Sequence, residues 1–125
     1  LLLAEDNELN SEIATTLLEE QGASITAVEN GRLALEAIQN AAPHTYDAIL
    51  MDVMMPEMNG LEATRCIRAF EGKGPGEGTP IIAMTANVFA DDVKACLDAG
   101  MNSHVGKPLD MKVLIGEILK YTDAR

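Results

Sequence analysis

The sequence predicts an α/β protein, a doubly wound five-stranded parallel sheet covered by helices in a three-layer α/β/α arrangement. Three observations carry that expectation. Short apolar runs alternate with stretches of helical periodicity five times along the 125 residues. Those runs are too apolar to leave a face in water, as expected of parallel strands covered on both sides. The length suits one domain with a substantial core, and not two. Right-handed crossovers leave few ways to wind such units.

The elements follow in order. "LLLAE" (1–5) reads as a buried strand, and the helix after it carries Leu9, Ile13 and Leu17 on one face at i, i+4, i+8 spacing. "SITAVE" (24–29) is a short β-branched strand. "GRLALEAIQNA" (31–41) is a helix entered through Asn30 and left before Pro43. "AILMD" (48–52) is the most apolar strand, and a helix from about Asn59 to Phe70 turns Leu61 and Ile67 inward. "EGKGPGEG" (71–78) is a flexible loop, because its glycines and proline disfavour helix and strand alike. It lacks the GxxxxGK[ST] pattern and a leading apolar strand, so a phosphate-binding loop is not expected there. "PIIAMT" (80–85) is the fourth strand, "VFADDVKACLDAG" (88–100) a helix closed by Gly100, and "SHVG" (103–106) the fifth strand. A last helix after Asp110 buries Leu114 and Ile118.

Bulk properties exclude several functions. The hydrophobic content of 47% and the mean hydropathy of +0.04 suit a globular protein. No apolar run approaches the roughly 20 residues that span a bilayer. A formal net charge of −11 opposes contact with a phosphate backbone or an anionic membrane, so neither nucleic acid nor direct membrane contact is expected. Cys66 and Cys96 are far apart and outside any CxxC pattern, which points to helix-face packing in a reducing cytoplasm. The chain opens on "LLLAEDN" without an initiator methionine, so it is read as a domain cut from a longer protein or one lacking its first residues.

The chemistry collects at the carboxyl ends of the strands. Strand one delivers Glu5 and Asp6, strand three Asp52, strand four Thr85, and strand five runs into Lys107 and Pro108. In a parallel sheet these ends share one rim, where ligands of open α/β sheets bind. Each residue alone has an ordinary structural reading: Asp6 or Asn7 as the cap of the first helix, Thr85 or Asn87 as the cap of the fourth, Lys107 as a surface lysine. Packing alone does not account for the whole set. Closely spaced carboxylates repel one another and call for a counter-charge, which a hard divalent ion such as Mg²⁺ supplies through oxygen ligands. A hydroxyl and a lysine beside them suit phosphoryl transfer, where catalysis is mostly positioning and charge neutralisation.

With "AEDN" (4–7), "MDVMMPEMNG" (51–60), "PIIAMTA" (80–86) and "GMNSHVGKP" (100–108) in this order and spacing, the chain resembles the receiver domain of two-component response regulators and hybrid histidine kinases. The resemblance covers essentially all of it. It implies a flavodoxin-like fold with strand order 2-1-3-4-5, an order that periodicity alone does not supply. It also implies that Asp52 is the phosphoacceptor, taking a phosphoryl group from a phosphohistidine. Glu5, Asp6, Asp52 and the backbone carbonyl of Met54 would hold Mg²⁺, with Mn²⁺ as a substitute. Lys107 would pair with the phosphoryl oxygens and Thr85 would be the hydroxyl that moves onto them. Pro108 follows the lysine where the family has a cis peptide, and Pro56 and Gly60 shape the loop after the acceptor.

The implied partner is a histidine kinase or histidine-phosphotransfer domain, docking near Asn7, Leu9, Asn10, Ile13, Pro108 and Leu109. The domain itself would be a monomer or weak dimer, cytoplasmic whether or not its parent chain is membrane-anchored. Its phosphoryl uptake would be self-catalysed and its autodephosphorylation slow. Two departures stand out: Glu5 replaces the usual aspartate, and His104 replaces the tyrosine or phenylalanine that rotates inward with Thr85. A stand-alone regulator, or one parted from its output domain, is the alternative within the class. An aspartate-nucleophile phosphatase is a second class, weakened because Met54 stands where its acid would be. A flavin carrier of the same fold is a third, weakened by only two Tyr, two Phe and no Trp.

Overall fold

The computed structural model describes residues 1–42, 45–55, 58–72, 74, 78–85, 90–106 and 110–122. Five strands and five helices alternate: β1 (Leu2–Ala4), α1 (Glu8–Glu20), β2 (Thr26–Val28), α2 (Gly31–Asn40), β3 (Ile49–Asp52), α3 (Gly60–Glu71), β4 (Ile81–Thr85), α4 (Ala90–Ala99), β5 (Ser103–Gly106) and α5 (Met111–Thr122). All strand pairs are parallel and the order is β2-β1-β3-β4-β5. The order that the resemblance implies is therefore the order observed.

The pleat sorts alternate side chains into two cores. Leu2, Ala4, Ile49, Met51, Ile81 and Ala83 point to the face covered by α2, α3 and α4, where they meet Ala34, Ile38, Ala63, Ile67 and Cys96. Leu3, Leu50, Ile82, Met84 and Val105 point to the other face, against Ala14 and Leu18 of α1 and Leu114 and Ile118 of α5. This two-sided burial is why β1, β3 and β4 read as unbroken apolar runs. Short polar side chains start the helices. Asn7, Asn30 and Asn59 each accept a hydrogen bond at 2.9 Å from the backbone N–H three residues on, and Asp110 accepts one from Lys112 at 3.0 Å. Asn7, not Asp6, is thus the cap of α1. Gly72 and Gly100 adopt left-handed φ values of 67° and 111° just past α3 and α4, where a side chain would be strained.

The apolar face of α1 does not pack on the sheet. Leu9, Ile13 and Leu17 share it, as their spacing predicts, and it is turned to solvent: they are 64%, 50% and 38% exposed. The helix instead packs through Ala14 and Leu18, the small alanine letting its backbone sit close to the sheet. Nor is β2 a covered strand. It lies at the sheet edge with Thr26 and Ala27 exposed, and only three residues pair.

One polar feature has no counterpart in the sequence pattern. The side chain of Arg68, on the last turn of α3, is only 9% exposed. Its Nε donates to Gly100 O (2.9 Å), Nη1 to Glu71 Oε1 and Thr79 O (2.9 Å each), and Nη2 to Asn102 Oδ1 (2.8 Å). Glu71 also accepts from the Thr79 hydroxyl at 2.7 Å and its N–H at 3.1 Å, and Asn102 Oδ1 accepts from Ile81 N–H at 2.9 Å. Burial lowers the guanidinium pKa and Glu71 partly restores it. The knot ties the ends of α3 and α4 to the starts of β4 and β5, opposite the rim that carries the chemistry.

Candidate functional site

At the carboxyl rim, the first turn after β1 and the last residue of β3 bring Glu5, Asp6 and Asp52 together. One carboxylate oxygen from each residue lies within 4.8 Å of one from each of the other two. Glu5 is held by the sheet, its N–H donating to Val28 O at 3.1 Å, and is 4% exposed. Asp6, one residue further, is exposed, and the chain enters α1 at Asn7. Asp52 is 5% exposed and pairs in register with Met84 of β4.

Backbone packing fixes the acceptor strand. Val53 N–H donates to Met84 O at 3.2 Å, and Gly60 N–H donates to Val53 O at 2.9 Å. A Cβ on Gly60 would collide with the carbonyl oxygen of Asp52 and come within 3.0 Å of Met51 Cγ. Only glycine lets the start of α3 approach the end of β3 this closely. Met54 follows in the loop with its side chain 77% exposed, which leaves its backbone carbonyl as the polar group it can offer.

Thr85 ends β4, 7% exposed and in register with Gly106. Because Met84 and Val105 point to the α1–α5 core, Thr85 and His104 both point to the opposite, α4 side of the sheet. His104 is half-buried and in register with Ala83, one pleat below Thr85. Both residues read as a switching pair therefore share one face. Lys107, Pro108, Leu109, Asn87 and Pro56 lie outside the described residues.

Three like charges this close repel strongly in a partly dehydrated setting. The donor set is all carboxylate oxygen, a hard set that fits Mg²⁺ or a similar divalent cation and not a soft one. The arrangement is an acidic trio that could hold a cation, with two buried carboxylates, Glu5 and Asp52, and one exposed, Asp6, and with Thr85 ending the neighbouring strand. Of the residues read from sequence, the structure brings Glu5, Asp6 and Asp52 together and sets Thr85 at the same rim. It puts Asn7, Leu9, Asn10 and Ile13 on the helix that leaves the rim. A groove of about 600 Å³ between α1 and the β2 edge, lined by Asp6, Glu8, Glu12 and Glu29 among others, was not read from sequence. Its only trace there is the absence of Lys and Arg before Arg32.

Comparison with known proteins agrees with this geometry. The pattern of the response regulator receiver domain matches residues 1–119. The chain is 40% identical to the probable histidine kinase 1 of Oryza sativa subsp. indica over 90% of its length, and 39% identical to the sensor protein GacS of Pseudomonas syringae pv. syringae over 98%. It spans only 14% and 13% of those two proteins. Among solved structures, the receiver domain of a sensor histidine kinase of Pseudomonas aeruginosa, which has a magnesium ion coordinated in its active site cleft, aligns with a TM-score of 0.84 and 37% identity. That alignment covers 98% of this chain and 95% of the other. The receiver domain of Ssk1 of Saccharomyces cerevisiae, crystallised with the histidine phosphotransfer protein Ypd1, aligns with a TM-score of 0.87 and 26% identity, covering 98% and 87%.

Proposed function

This chain belongs to the response regulator receiver family, and from that premise we propose that it is the phosphoacceptor of a two-component phosphorelay, the receiver of a hybrid sensor histidine kinase. The observation that carries the reading is the trio of Glu5, Asp6 and Asp52 oxygens within 4.8 Å of one another at the carboxyl rim of a parallel sheet. The hybrid-kinase origin is supported by relatives named as histidine kinases that are many times longer than this chain.

An Asp52 carboxylate oxygen attacks the phosphorus of a phosphohistidine on the partner. The new O–P bond forms as the P–N bond breaks, and its electron pair returns to the imidazole. Asp52 suits this role because the β3 backbone and the glycine contact behind it hold it in place, leaving its carboxylate facing the rim. Glu5, Asp6, Asp52 and the Met54 carbonyl are the groups that would hold Mg²⁺. When bound, that ion offsets charge on the carboxylates and on the phosphoryl oxygens. Lys107 supplies the other positive charge. Thr85, whose face His104 shares, then reports phosphorylation by moving toward the phosphoryl group. Asn7, Leu9, Asn10 and Ile13, together with Pro108 and Leu109, would form the partner's docking face.

Mass spectrometry after incubation with a small phosphodonor and Mg²⁺ tests the assignment. One added phosphoryl is expected on the wild type and none on Asp52→Asn. Equal labelling of that variant would refute the role of Asp52.

A further inference from the structure

The end of β5 away from the rim is anchored on several sides. Asn102, the residue before the strand, is held by three elements at once. Its N–H donates to Ile81 O at 2.8 Å and its side-chain Oδ1 accepts from Ile81 N–H at 2.9 Å, so the two residues close a ring at the start of β4. The same Oδ1 accepts from Arg68 Nη2 of α3 at 2.8 Å, and the Asn102 backbone carbonyl accepts from the Tyr121 hydroxyl of α5 at 3.0 Å. Its neighbours are fixed too. Gly100 O accepts from Arg68 Nε, Met101 is buried in the core beneath α3 and α4, and Ser103 Oγ donates to Glu117 Oε2 of α5 at 2.7 Å. Glu117 and Tyr121 lie one turn apart, so α5 meets the start of β5 along one face. At the other end, Gly106 pairs with Thr85, and β5 is the last strand of the sheet.

Resting on the phosphoacceptor reading, we propose that Asn102 is the pivot of the phosphorylation response. The start of β5 and the carboxyl half of α5 stay in place, and the movement of Thr85 is taken up by His104, Val105 and Gly106 alone. Displacing Asn102 breaks bonds to three elements together and leaves a guanidinium that is 9% exposed short of a partner, which costs more than losing exposed contacts. Displacing the rim end only bends a strand that has a neighbour on one side. The four residues of β5 make a lever of about 10 Å, so a shift near Gly106 fades toward the anchor. Hinges of this kind sit at the end of an element and absorb the change in a few residues. Asn102 is thus a positioning residue that acts by limiting how far the change at Thr85 travels. Without it, Ser103 would carry the shift to Glu117, and so to α5, through their hydrogen bond.

The test compares amide chemical shifts with and without beryllofluoride and Mg²⁺ in the wild type, Asn102→Ala, Asn102→Asp and Tyr121→Phe. In the wild type, the changes at residues 104–106 should exceed those at residues 102–103 and 117–121 by at least about fivefold. Asn102→Ala should raise the changes at Ser103 and at residues 117–121 by at least about threefold. Asn102→Asp keeps the accepting oxygen and should restore the wild-type pattern, a rescue that a loss of stability alone would not produce. Tyr121→Phe removes one hydroxyl, serves if the alanine variant does not fold, and should raise the same changes about twofold. Equal changes at both ends of wild-type β5, or a pattern that Asn102→Ala and Tyr121→Phe leave untouched, would overturn the proposal. If beryllofluoride leaves Asp52 unshifted, the phosphoacceptor reading fails instead. Relaxation dispersion on the unloaded protein then decides the pivot separately, since a two-state protein samples its minor state without ligand. Exchange confined to residues 104–106, and spreading to Ser103 in Asn102→Ala, supports the pivot, and any other distribution refutes it.

Discussion

Replacing Arg68 by methionine removes the guanidinium but keeps an apolar stem of similar reach, so the polar knot can be assessed apart from packing. The wild-type side chain is 9% exposed and donates four hydrogen bonds of 2.8–2.9 Å to groups on α3, the α4 end, and the approaches to β4 and β5. Breaking a buried ion pair by removing one partner costs about 3–5 kcal/mol. The lower end applies here, because Glu71 keeps both bonds from Thr79 and Asn102 keeps the one from Ile81 N–H. A loss of about 3 kcal/mol is a large part of the roughly 5–15 kcal/mol that holds a typical domain folded. At about 4 °C per kcal/mol for a chain of this size, the melting temperature should fall by about 12 °C. Urea unfolding followed by circular dichroism should show a lower midpoint at unchanged slope. Arg68→Lys should recover less than half of the loss, since a point charge cannot reach acceptors on three sides of a planar fork. A loss under about 1 kcal/mol for Arg68→Met, or full rescue by lysine, would refute the reasoning.

Removing one of the three clustered carboxylates relieves repulsion, so metal-free Asp52→Asn should be about 1 kcal/mol more stable than the wild type. Added Mg²⁺ should raise the wild-type melting temperature and leave Asp52→Asn nearly unmoved, as calorimetric scans would show. Asp6→Ala should weaken Mg²⁺ binding more than Glu5→Ala in parallel titrations, the longer glutamate being the residue expected to reach the metal through water; equal or reversed losses would contradict that assignment. Histidine at position 104 is smaller than tyrosine and carries polar nitrogens, so burying it costs unless a partner satisfies it. Beryllofluoride loading should therefore shift β5 and α4 less in the wild type than in His104→Tyr, with NMR as the readout, and equal shifts in the two would refute this.

Much of the fold was legible because burial on both sheet faces leaves a plain trace. "AILM" (48–51) and "IIAM" (81–84) are apolar throughout since neither face of β3 or β4 meets water. The meeting of Glu5, Asp6 and Asp52 was legible because a parallel sheet puts the carboxyl ends of its strands on one rim, and asparagines at 7, 30 and 59 start the helices that the periodicity predicts. Periodicity marked the apolar face of α1 without its surroundings. It detects an apolar stripe but not what covers it, and Ala14 with Leu18 make a core-facing edge too small to outweigh Leu9, Ile13 and Leu17 in a pattern. Arg68 was hidden for a related reason: its partners Gly100 and Asn102 are 32 and 34 residues away, and no local rule marks an arginine for burial. The short β2 could not be told from an inner strand, since its β-branched sequence says nothing about being last in the order.

That edge position also bears on how copies of the chain behave toward one another. The outer side of a terminal strand is a template that a second copy can extend by backbone pairing. Here the template is three residues long, and the acidic wall of Glu8, Glu12 and Glu29 stands beside it. Two molecules meeting edge to edge bring these walls together and repel before their strands can pair. The acidity of this wall should thus oppose self-association. The protection is only as good as its charge, and near the isoelectric point of about 4.4 it disappears. Self-association on acidification should then start at Thr26 and Ala27.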